Sequence, residues 1–571
     1  MFFLRIFMVL FSALIYTFLL CLFLKPVFYT RSIIIDIGFY NFDFCLKYPF
    51  FWIFLKKTYP IFCFFSSIII FNSIYSLFIK PLFPHRKISK NAPPPGLNLY
   101  IGKNIENEKI YLPENGLFQN ILITGTIGSG KTSSAMYPFT KQLIEYNCEK
   151  DDNKIGMLIL DVKGNYHNQV YEYCKKFGRE DDLIIIGLEN NIFYNPLDKP
   201  NLSAQVLANR LKTILTLFSK NNSESYWLDV AEETLSEAIK LCRLYNDGYV
   251  TFEELHNLLF IPNYLERKIS ILRSKFKSGK MSSHDIFNLS TALNYFQLEF
   301  FSLDSRVLSI LKSEIGRIVN TFISNYSILK TFCPQKENIN FHGFKEVIQD
   351  GKIVVLNMNI AEHRNLSKII AAYLKLDFQT EILSTLSSNS VVKSNTTAFI
   401  CDEYHEYVTS TDADFFSQSR EAKCINIVAT QSYTSILNTL KDTYSTKVII
   451  QNLINKLWFR TDDIFSIEEA QKQIGKEDKI KISKSISENA KETHYNYIFN
   501  RLKSKDSNIS ESINTYNQTD YVYNTNYFTQ ELETFSCLSF LSTGKSILKP
   551  CKIILEPYFK QRMVLWRKDI K

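Results

Sequence analysis

The chain opens with two long apolar segments and then changes to short apolar runs that alternate with helical patterns. The segments Ile6–Leu24 and Thr58–Ile79 contain no charged residue, and a basic residue stands on each side of both. Each is long enough to cross a bilayer core of about 30 Å. No small-x-small cleavage motif follows the first, which argues against a signal peptide. The pattern therefore predicts a two-helix membrane hairpin over residues 1–80.

Beyond the hairpin, a proline-rich linker over residues 81–97 leads into a region of alternating strand and helix patterns. Short apolar runs predict buried strands at 120–124, 154–160, 183–186, 352–357, 397–401 and 425–429. Strands that alternate with helices indicate a parallel sheet, whose ligands lie at the carboxyl ends of the strands. The fold class is therefore α/β, with one nucleotide-binding domain in two parts, 98–202 and 328–571.

The segment that separates these two parts has no strand pattern. Apolar residues recur at three- and four-residue spacing in Ala204–Phe218, Trp227–Tyr245 and Phe287–Phe322, which predicts an all-helical insertion over residues 203–327. Farther on, residues 476–526 are rich in Ser, Asn and Lys, and this composition predicts a polar loop.

The first predicted strand of the sheet runs directly into a glycine-rich segment. Gly125 is followed by four residues and then by Gly130, Lys131 and Thr132, which is the spacing of a phosphate-binding loop. The loop residues are Gly125, Thr126, Ile127, Gly128, Ser129, Gly130, Lys131 and Thr132. Lys131 is expected to reach the phosphates of ATP, and the Thr132 hydroxyl is expected to hold Mg²⁺.

Two later strands end in polar residues suited to hydrolysis. The strand at 397–401 runs into Asp402 and Glu403, and the strand at 425–429 leads to Gln431. Asp402 is expected to bind the metal, and Glu403 is expected to activate the attacking water. Gln431 is expected to lie near the γ-phosphate and position that water. A helix cap for the two acids and an ordinary loop residue for Gln431 are the plain structural alternatives.

Composition adds less to this picture. The net charge of +9 permits an acidic partner, and the 11 cysteines show no metal-ligand spacing. One segment of the helical insertion is densely basic. It contains Arg267, Lys268, Arg273, Lys275, Lys277 and Lys280. Such a run suits DNA phosphates or an acidic protein, although a solvated helix face is equally compatible with it.

Together these motifs resemble the type IV secretion coupling proteins of the TraG/TraD group, which are membrane-anchored conjugation ATPases. The resemblance covers nearly the whole chain and rests on the order and spacing of the motifs. These are the hairpin, the phosphate loop with Pro138, Asp161-x-Lys163-Gly164, Tyr194-Asn195-Pro196-Leu197, the helical insertion, Asp402-Glu403-Tyr404, Ser419-Arg420 and Ala429-Thr430-Gln431-Ser432.

The resemblance implies a RecA-like P-loop NTPase domain that is interrupted by an all-α domain and assembles as a homo-hexameric ring. It also implies a multi-pass protein of the cytoplasmic membrane with its ATPase domain in the cytoplasm. The expected ligands are ATP and Mg²⁺. The expected partners are single-stranded DNA bound with low specificity, a relaxase or another secreted protein, and the secretion channel. Arg420 resembles the arginine that such rings contribute to the neighbouring subunit's ATP, with a surface ion pair as the alternative.

Three departures from the family pattern limit this transfer. Tyr404 stands where the family usually has Phe, and Asn165 stands where an acid is common. The chain also has no long acidic tail after its last predicted strand. An FtsK-type DNA translocase, a substrate receptor that binds ATP without a motor role, and a protein-only secretion ATPase remain alternative functions.

Overall fold

The computed structural model divides the chain into two compact units, Met1–Ala92 and Pro93–Lys571. It describes residues 2–29, 33–36, 41–74, 95–150, 153–218, 225–279, 281–358, 360–387, 395–488, 493–496, 501–504 and 509–560.

The first unit is a pair of apolar helices. It contains α1 (Phe2–Tyr29), β1 (Ile34–Asp36), β2 (Asn41–Asp43), α2 (Phe44–Lys47) and α3 (Pro49–Ile74). The helices α1 and α3 pack against each other, and Thr17 Oγ1 donates a hydrogen bond to Ser67 Oγ at 3.2 Å. The sequence pattern thus identified both helices of the pair.

The bounds of the membrane segments differ from the prediction. Of the described residues, Pro49–Ile70 is the one segment long and apolar enough to cross a membrane, and the apolar part of α1, Leu14–Val27, is shorter. α3 begins nine residues before the predicted Thr58, because aromatic and apolar residues precede Lys56 and Lys57 and can cover the lysine stems. Residues 75–79 of the predicted segment and residues 81–94 of the predicted linker lie outside the described residues. One helix of this kind is weak evidence for a membrane anchor, and a second crossing stays a proposal.

The second unit is built on one large mixed sheet with two small strand pairs beside it. Its strands are β3 (Asn98–Asn104), β4 (Lys109–Pro113), β5 (Ile121–Thr124), β6 (Gly156–Leu160), β7 (Leu183–Gly187), β8 (Ile353–Asn357), β9 (Thr397–Cys401), β10 (Cys424–Thr430), β11 (Asn455–Phe459), β12 (Lys476–Glu488), β13 (Thr493–Asn496), β14 (Arg501–Ser504), β15 (Ile509–Tyr521), β16 (Ser536–Phe540) and β17 (Cys551–Ile554).

The strand order of the large sheet is β4-β3-β17-β16-β11-β5-β10-β9-β6-β8-β7. The seven strands from β11 to β7 are parallel, and β16, β17, β3 and β4 extend the sheet in antiparallel fashion. The predicted α/β class with a large parallel sheet is therefore confirmed. The late strands β16 and β17 lie inside the sheet, between β11 and β3.

Helices cover both faces of the sheet. The helices of the second unit are α4 (Glu114–Leu117), α5 (Tyr137–Glu145), α6 (Tyr166–Lys176), α7 (Ala204–Thr216), α8 (Ser225–Tyr245), α9 (Phe252–Phe260), α10 (Tyr264–Lys277), α11 (Ser283–Asn294), α12 (Ser305–Ile323), α13 (Tyr326–Phe332), α14 (Lys345–Asp350), α15 (Ile360–Ser387), α16 (Asp412–Gln418), α17 (Tyr433–Leu440), α18 (Thr443–Asn452) and α19 (Ile464–Ile474). In β5, Ile121 and Ile123 face one core and Leu122 faces the other, as expected for a strand buried on both sides.

Helices α7 to α13 follow one another between the edge strand β7 and its parallel neighbour β8, with no strand among the described residues of this segment. Residues Phe287–Phe322 do not form one continuous helix: α11 ends at Asn294, and a widened turn at Tyr295–Glu299 and a 3-10 turn at Phe300–Ser302 precede α12. The buried rings of Tyr295, Phe296 and Phe300 explain the break, because they hold the chain in the core while it changes direction.

The segment 476–526, predicted as a polar loop, contains paired strands towards both of its ends. β12 and β15 pair in antiparallel register over their whole length, from Lys476 opposite Tyr521 to Glu488 opposite Ile509. Ile480, Ile482 and Ile486 alternate with polar residues along β12, and this two-residue period favours a strand whatever the overall composition. The prediction used the composition of the whole segment, and this composition does not show the local alternation along β12.

Candidate active site

The phosphate-binding loop joins β5 to the helical segment that follows it, at the carboxyl end of the parallel strands. Gly128 and Gly130 have φ of +80° and +97°, which side-chain-bearing residues rarely adopt. A Cβ atom on Gly130 would lie 2.5 Å from the ring of Phe535, and Phe535 N–H donates to Ser129 C=O at 3.1 Å. A late segment of the chain therefore fixes the loop from outside.

The helix after the loop begins with a widened turn at Thr132–Met136 and continues as α5. Pro138 lies in the first turn of α5 and lacks the N–H that would continue the preceding hydrogen-bond pattern. The helix therefore changes type just before Pro138, from the widened turn to a regular α-helix.

The side chains of the loop lysine and threonine both make hydrogen bonds within the chain. Lys131 Nζ donates to the backbone oxygens of Gly125 at 2.5 Å and Thr126 at 3.2 Å. Burial lowers the pKa of Lys131, while the carboxylates of Glu403 and Asp402 oppose that shift. Thr132 Oγ1 donates to Asp402 Oδ2 at 2.7 Å, which joins the start of the helical segment after the loop to the residue that follows β9.

Glu403 lies beside this pair in a strained backbone conformation, with φ of +50°. Its Oε2 atom is buried and has no hydrogen-bond partner among the described residues. Burial and then the charge of Asp402 raise the pKa of Glu403, while Lys131, Lys163 and the Gln431 side chain act in the opposite direction. A carboxylate that is buried, has one oxygen without a hydrogen-bond partner and is less acidic than usual is suited to accept a proton.

Gln431 directly follows β10 and contacts the loop through its backbone. Its carbonyl oxygen accepts a hydrogen bond from Gly125 N–H at 3.2 Å, which extends the pairing of β10 with β5. Its side chain lines a cavity of about 520 Å³ together with Lys131, Thr132 and Glu403. The structure thus brings these predicted residues together at one edge of the sheet.

Arg420 lies elsewhere. It occupies the turn between α16 and β10 and is exposed, at the opposite end of β10 from Gln431. A seven-residue strand separates the two ends by roughly 20 Å, so Arg420 is far from the phosphate loop of its own chain. This position is compatible with action on another subunit and incompatible with action in its own site.

Several residues that line the cavity were not predicted as site residues. They are Ser133, Tyr137, Val162, Lys163, His405, Glu406 and Tyr558. Lys163 belongs to the recognised motif Asp161-x-Lys163-Gly164, so a signal for it was available. Tyr558 follows the last strand of the sheet and packs edge-on against Tyr137, with ring centroids 5.1 Å apart. Tyr558 could be recognised as a cavity residue only from the sheet topology, which places the segment after β17 beside the phosphate loop.

Buried polar contacts stabilise the loop that carries Glu403. Asp412 accepts hydrogen bonds from Tyr404 Oη at 2.6 Å and from Lys375 Nζ at 2.7 Å, and all three side chains are buried. Lys375 also donates to the carbonyl oxygen of Tyr407. The hydroxyl of Tyr404, a departure from the usual Phe, therefore has a defined acceptor in this protein.

Some of the basic side chains in the helical segment form ion pairs within the chain. Lys268 pairs with Glu254 at 3.1 Å, and Lys275 pairs with Asp247 at 3.7 Å and contacts a backbone oxygen. Arg273 and Lys277 are exposed on α10, whereas Lys280 lies outside the described residues. A contact to phosphates would therefore depend on fewer charges than the sequence suggests.

Comparison with known proteins gives structural neighbours only. No protein-family model and no curated protein matches the sequence. Three solved structures of the plasmid coupling protein TrwB resemble the chain. A trigonal form with sulphate (13% identity, TM-score 0.51) and a complex with ADP and Mg²⁺ (12% identity, TM-score 0.51) each cover 80% of this chain and 89% of the TrwB chain in that structure. A complex with the GTP analogue GDPNP (12% identity, TM-score 0.50) covers 82% of this chain and 97% of the TrwB chain. At these identities the likeness concerns the fold. The chain has the α/β P-loop fold of the bacterial conjugative coupling protein TrwB.

Proposed function

We propose that this protein is a membrane-anchored ATPase of the conjugative coupling type, which brings DNA with its attached protein to a type IV secretion channel and drives transfer by ATP hydrolysis. The observation that carries the proposal is the hydrogen bond between Thr132 and Asp402, with Lys131, Glu403 and Gln431 around the same cavity. The TrwB-like fold supports it, since TrwB itself is a coupling protein with structures in complex with nucleotides.

The residues present fit a nucleotide with Mg²⁺. A hydroxyl and a carboxylate oxygen, which hard cations prefer, meet at Thr132 and Asp402, and these two residues would hold the metal. Bound Mg²⁺ supplies charge neutralisation on the phosphates. Lys131 would exchange its contacts to Gly125 and Thr126 for phosphate oxygens, because both acceptors belong to the loop that would hold those phosphates.

The remaining catalytic roles belong to side chains of the protein. The unpartnered Oε2 of Glu403 accepts the proton of the attacking water, and Gln431 orients that water from the tip of β10. Arg420 of the adjacent subunit in a homo-hexameric ring faces the γ-phosphate, since Arg420 cannot reach the site of its own chain. Lys163 adds positive charge at the cavity wall.

The remaining parts of the proposal concern location and substrate. Helices α1 and α3 form a two-pass anchor in the cytoplasmic membrane, and the ATPase unit is in the cytoplasm. Arg267, Arg273 and Lys277 on α10 offer exposed charges to single-stranded DNA without reading its sequence. The relaxase or another secreted protein and the channel components are the other partners of the assembled ring.

The test is ATP hydrolysis by the full-length protein in detergent, with and without single-stranded DNA. We expect hydrolysis that DNA stimulates. Hydrolysis that responds to a secreted protein and not to DNA would favour the protein-only secretion ATPase. Nucleotide binding without turnover under all conditions would contradict the motor and favour a receptor.

A further inference from the structure

A second cavity, of about 490 Å³, lies on the sheet face covered by α17, α18 and α19. Lys456, the second residue of β11, lines its inner wall, whereas the phosphate loop contacts Arg460 beyond the other end of that strand. This cavity therefore lies apart from the nucleotide cavity. Its volume is within the range of small-ligand sites.

Lys456 is the unusual residue of this cavity. Its residue exposure is 3%, and no hydrogen bond or ion pair to its ammonium group exists among the described residues. Burial lowers the pKa of Lys456 to about 8, with no nearby charge contributing to the shift. Burying a cation without a partner is costly, so a buried, unpaired lysine that opens into a cavity is well placed for an anionic ligand.

The neighbouring groups provide further donors. Tyr433 Oη accepts a hydrogen bond from Trp458 Nε1 at 2.9 Å, which leaves the hydroxyl proton of Tyr433 available to a ligand. Lys447 and Lys472 line the outer part of the cavity, and both pair with Glu469, at 3.9 Å and 3.4 Å. Lys472 also pairs with Glu468 at 3.4 Å, so three lysines against two glutamates leave one positive charge when Lys456 is protonated, and this charge favours an anion.

We propose that this cavity binds a small phosphate anion, either inorganic phosphate or a phosphomonoester, with Lys456 as the buried charge and Tyr433 as a hydrogen-bond donor. A single lysine acts as a point charge toward phosphate and needs no planar partner. Ligand binding pairs the ammonium group and so favours its protonated form. The exposed lysines at the entrance attract the anion, and Glu469 holds them in place.

The binding test uses the full-length, detergent-solubilised protein with Lys131→Ala, so that the phosphate loop does not contribute. Inorganic phosphate is titrated at constant ionic strength, and affinity is read by calorimetry. We expect Lys456→Met to weaken binding at least tenfold, because it keeps the side-chain volume and removes the charge. Lys545→Met, at an exposed lysine of the loop between β16 and β17, should leave the affinity unchanged. Equal affinity in both variants would overturn the proposal.

A second measurement needs no variant at Lys456. Amine-specific labelling of Lys456, read by mass spectrometry across pH, reports its protonation in the same protein. We expect phosphate to slow labelling at pH 7 at least tenfold and to move the midpoint to higher pH. Glycerol 3-phosphate with the same effect identifies a phosphomonoester site, and protection by inorganic phosphate alone identifies a free-phosphate site. Equal protection by succinate, or no protection by any anion, would overturn the phosphate assignment.

Discussion

At the scale of single residues, Glu403 is the most informative side chain of the site. Replacing it with Gln removes the proposed proton acceptor and leaves Thr132, Asp402 and Lys131 in place. We expect Glu403→Gln to bind ATP normally and to hydrolyse it on the order of 10²–10⁴-fold more slowly, as for the loss of a positioned base. Nucleotide binding and single-turnover hydrolysis measure the two effects separately.

The matched control is Glu406→Gln, because Glu406 lines the same cavity but pairs with Lys368. We expect this variant to keep most of the hydrolysis rate. If both variants lost activity equally, the general charge of the cavity would matter and Glu403 would have no special role.

The raised pKa of Glu403 leads to a second prediction. Only the ionised carboxylate accepts a proton, and burial keeps Glu403 protonated to a higher pH than the ordinary value of 4.5. Hydrolysis at saturating ATP should therefore fall as the pH decreases, with a midpoint above 4.5. The pH profile of the hydrolysis rate measures this, and a midpoint at or below 4.5 would contradict the role of Glu403 as base.

At the scale of secondary-structure elements, the sequence predicted those features that depend on short local patterns of residues. The phosphate loop, the acids after β9 and the buried parallel strands follow from short apolar runs and glycine spacing. The ribbon of β12 and β15 was missed because composition was averaged over a segment whose alternation is local. Phe535 and Tyr558 could not be assigned to the site, because their contacts depend on how β16 and β17 enter the sheet.

A buried ionic cluster explains the motif around Tyr194. Asp377 on α15 accepts from Tyr194 Oη at 2.5 Å and pairs with Lys199 and with Arg210 on α7, both at 2.8 Å. Burial alone would raise the pKa of Asp377, but Lys199 and Arg210 hold it below its usual value. The cluster therefore joins the helical segment to the helices that cover the sheet.

Removing its carboxylate should be costly. We expect Asp377→Ala to lower the free energy of unfolding by about 3–5 kcal/mol, because two buried cations lose their partner. Denaturant unfolding of the detergent-solubilised protein measures this. Asp414→Ala, at an exposed position on α16, is the control and should cost far less. A change at Asp377 within 1 kcal/mol would show that the cluster does not stabilise this junction.

The exposed charges of α10 have an effect that can be separated from the ATP site. If Arg273 and Lys277 contact single-stranded DNA, replacing both with Gln should weaken binding and reduce the salt dependence of log affinity by about 0.7 per lost contact. Fluorescence anisotropy across a salt series measures the slope, and Arg306→Gln with Lys336→Gln is the charge-matched control. An unchanged slope would leave these residues as a solvated face.

At the scale of the whole molecule, the position of Arg420 bears on whether it can act on the ATP site of its own chain or only on that of a neighbouring subunit. The arginine lies at the end of β10 opposite the phosphate loop, so the proposed role of Arg420 requires two copies of the chain for one complete site. An isolated Arg420→Ala subunit should bind ATP normally, since its loop, Lys131 and Asp402 are intact. The assembled ring should lose hydrolysis by roughly 10³–10⁵-fold, the usual contribution of such arginines.

Mixing subunits gives the sharper result. Lys131→Ala subunits have a defective loop and an intact arginine, whereas Arg420→Ala subunits have the reverse. Each variant alone should be inactive, but mixed rings contain interfaces that join an intact loop to an intact arginine, and these should recover part of the hydrolysis rate. Steady-state turnover against mixing ratio measures the recovery, and native mass spectrometry establishes that mixed rings form. Because the two defects can complement each other only across an interface, inactive mixed rings would assign Arg420 a structural role within its own subunit.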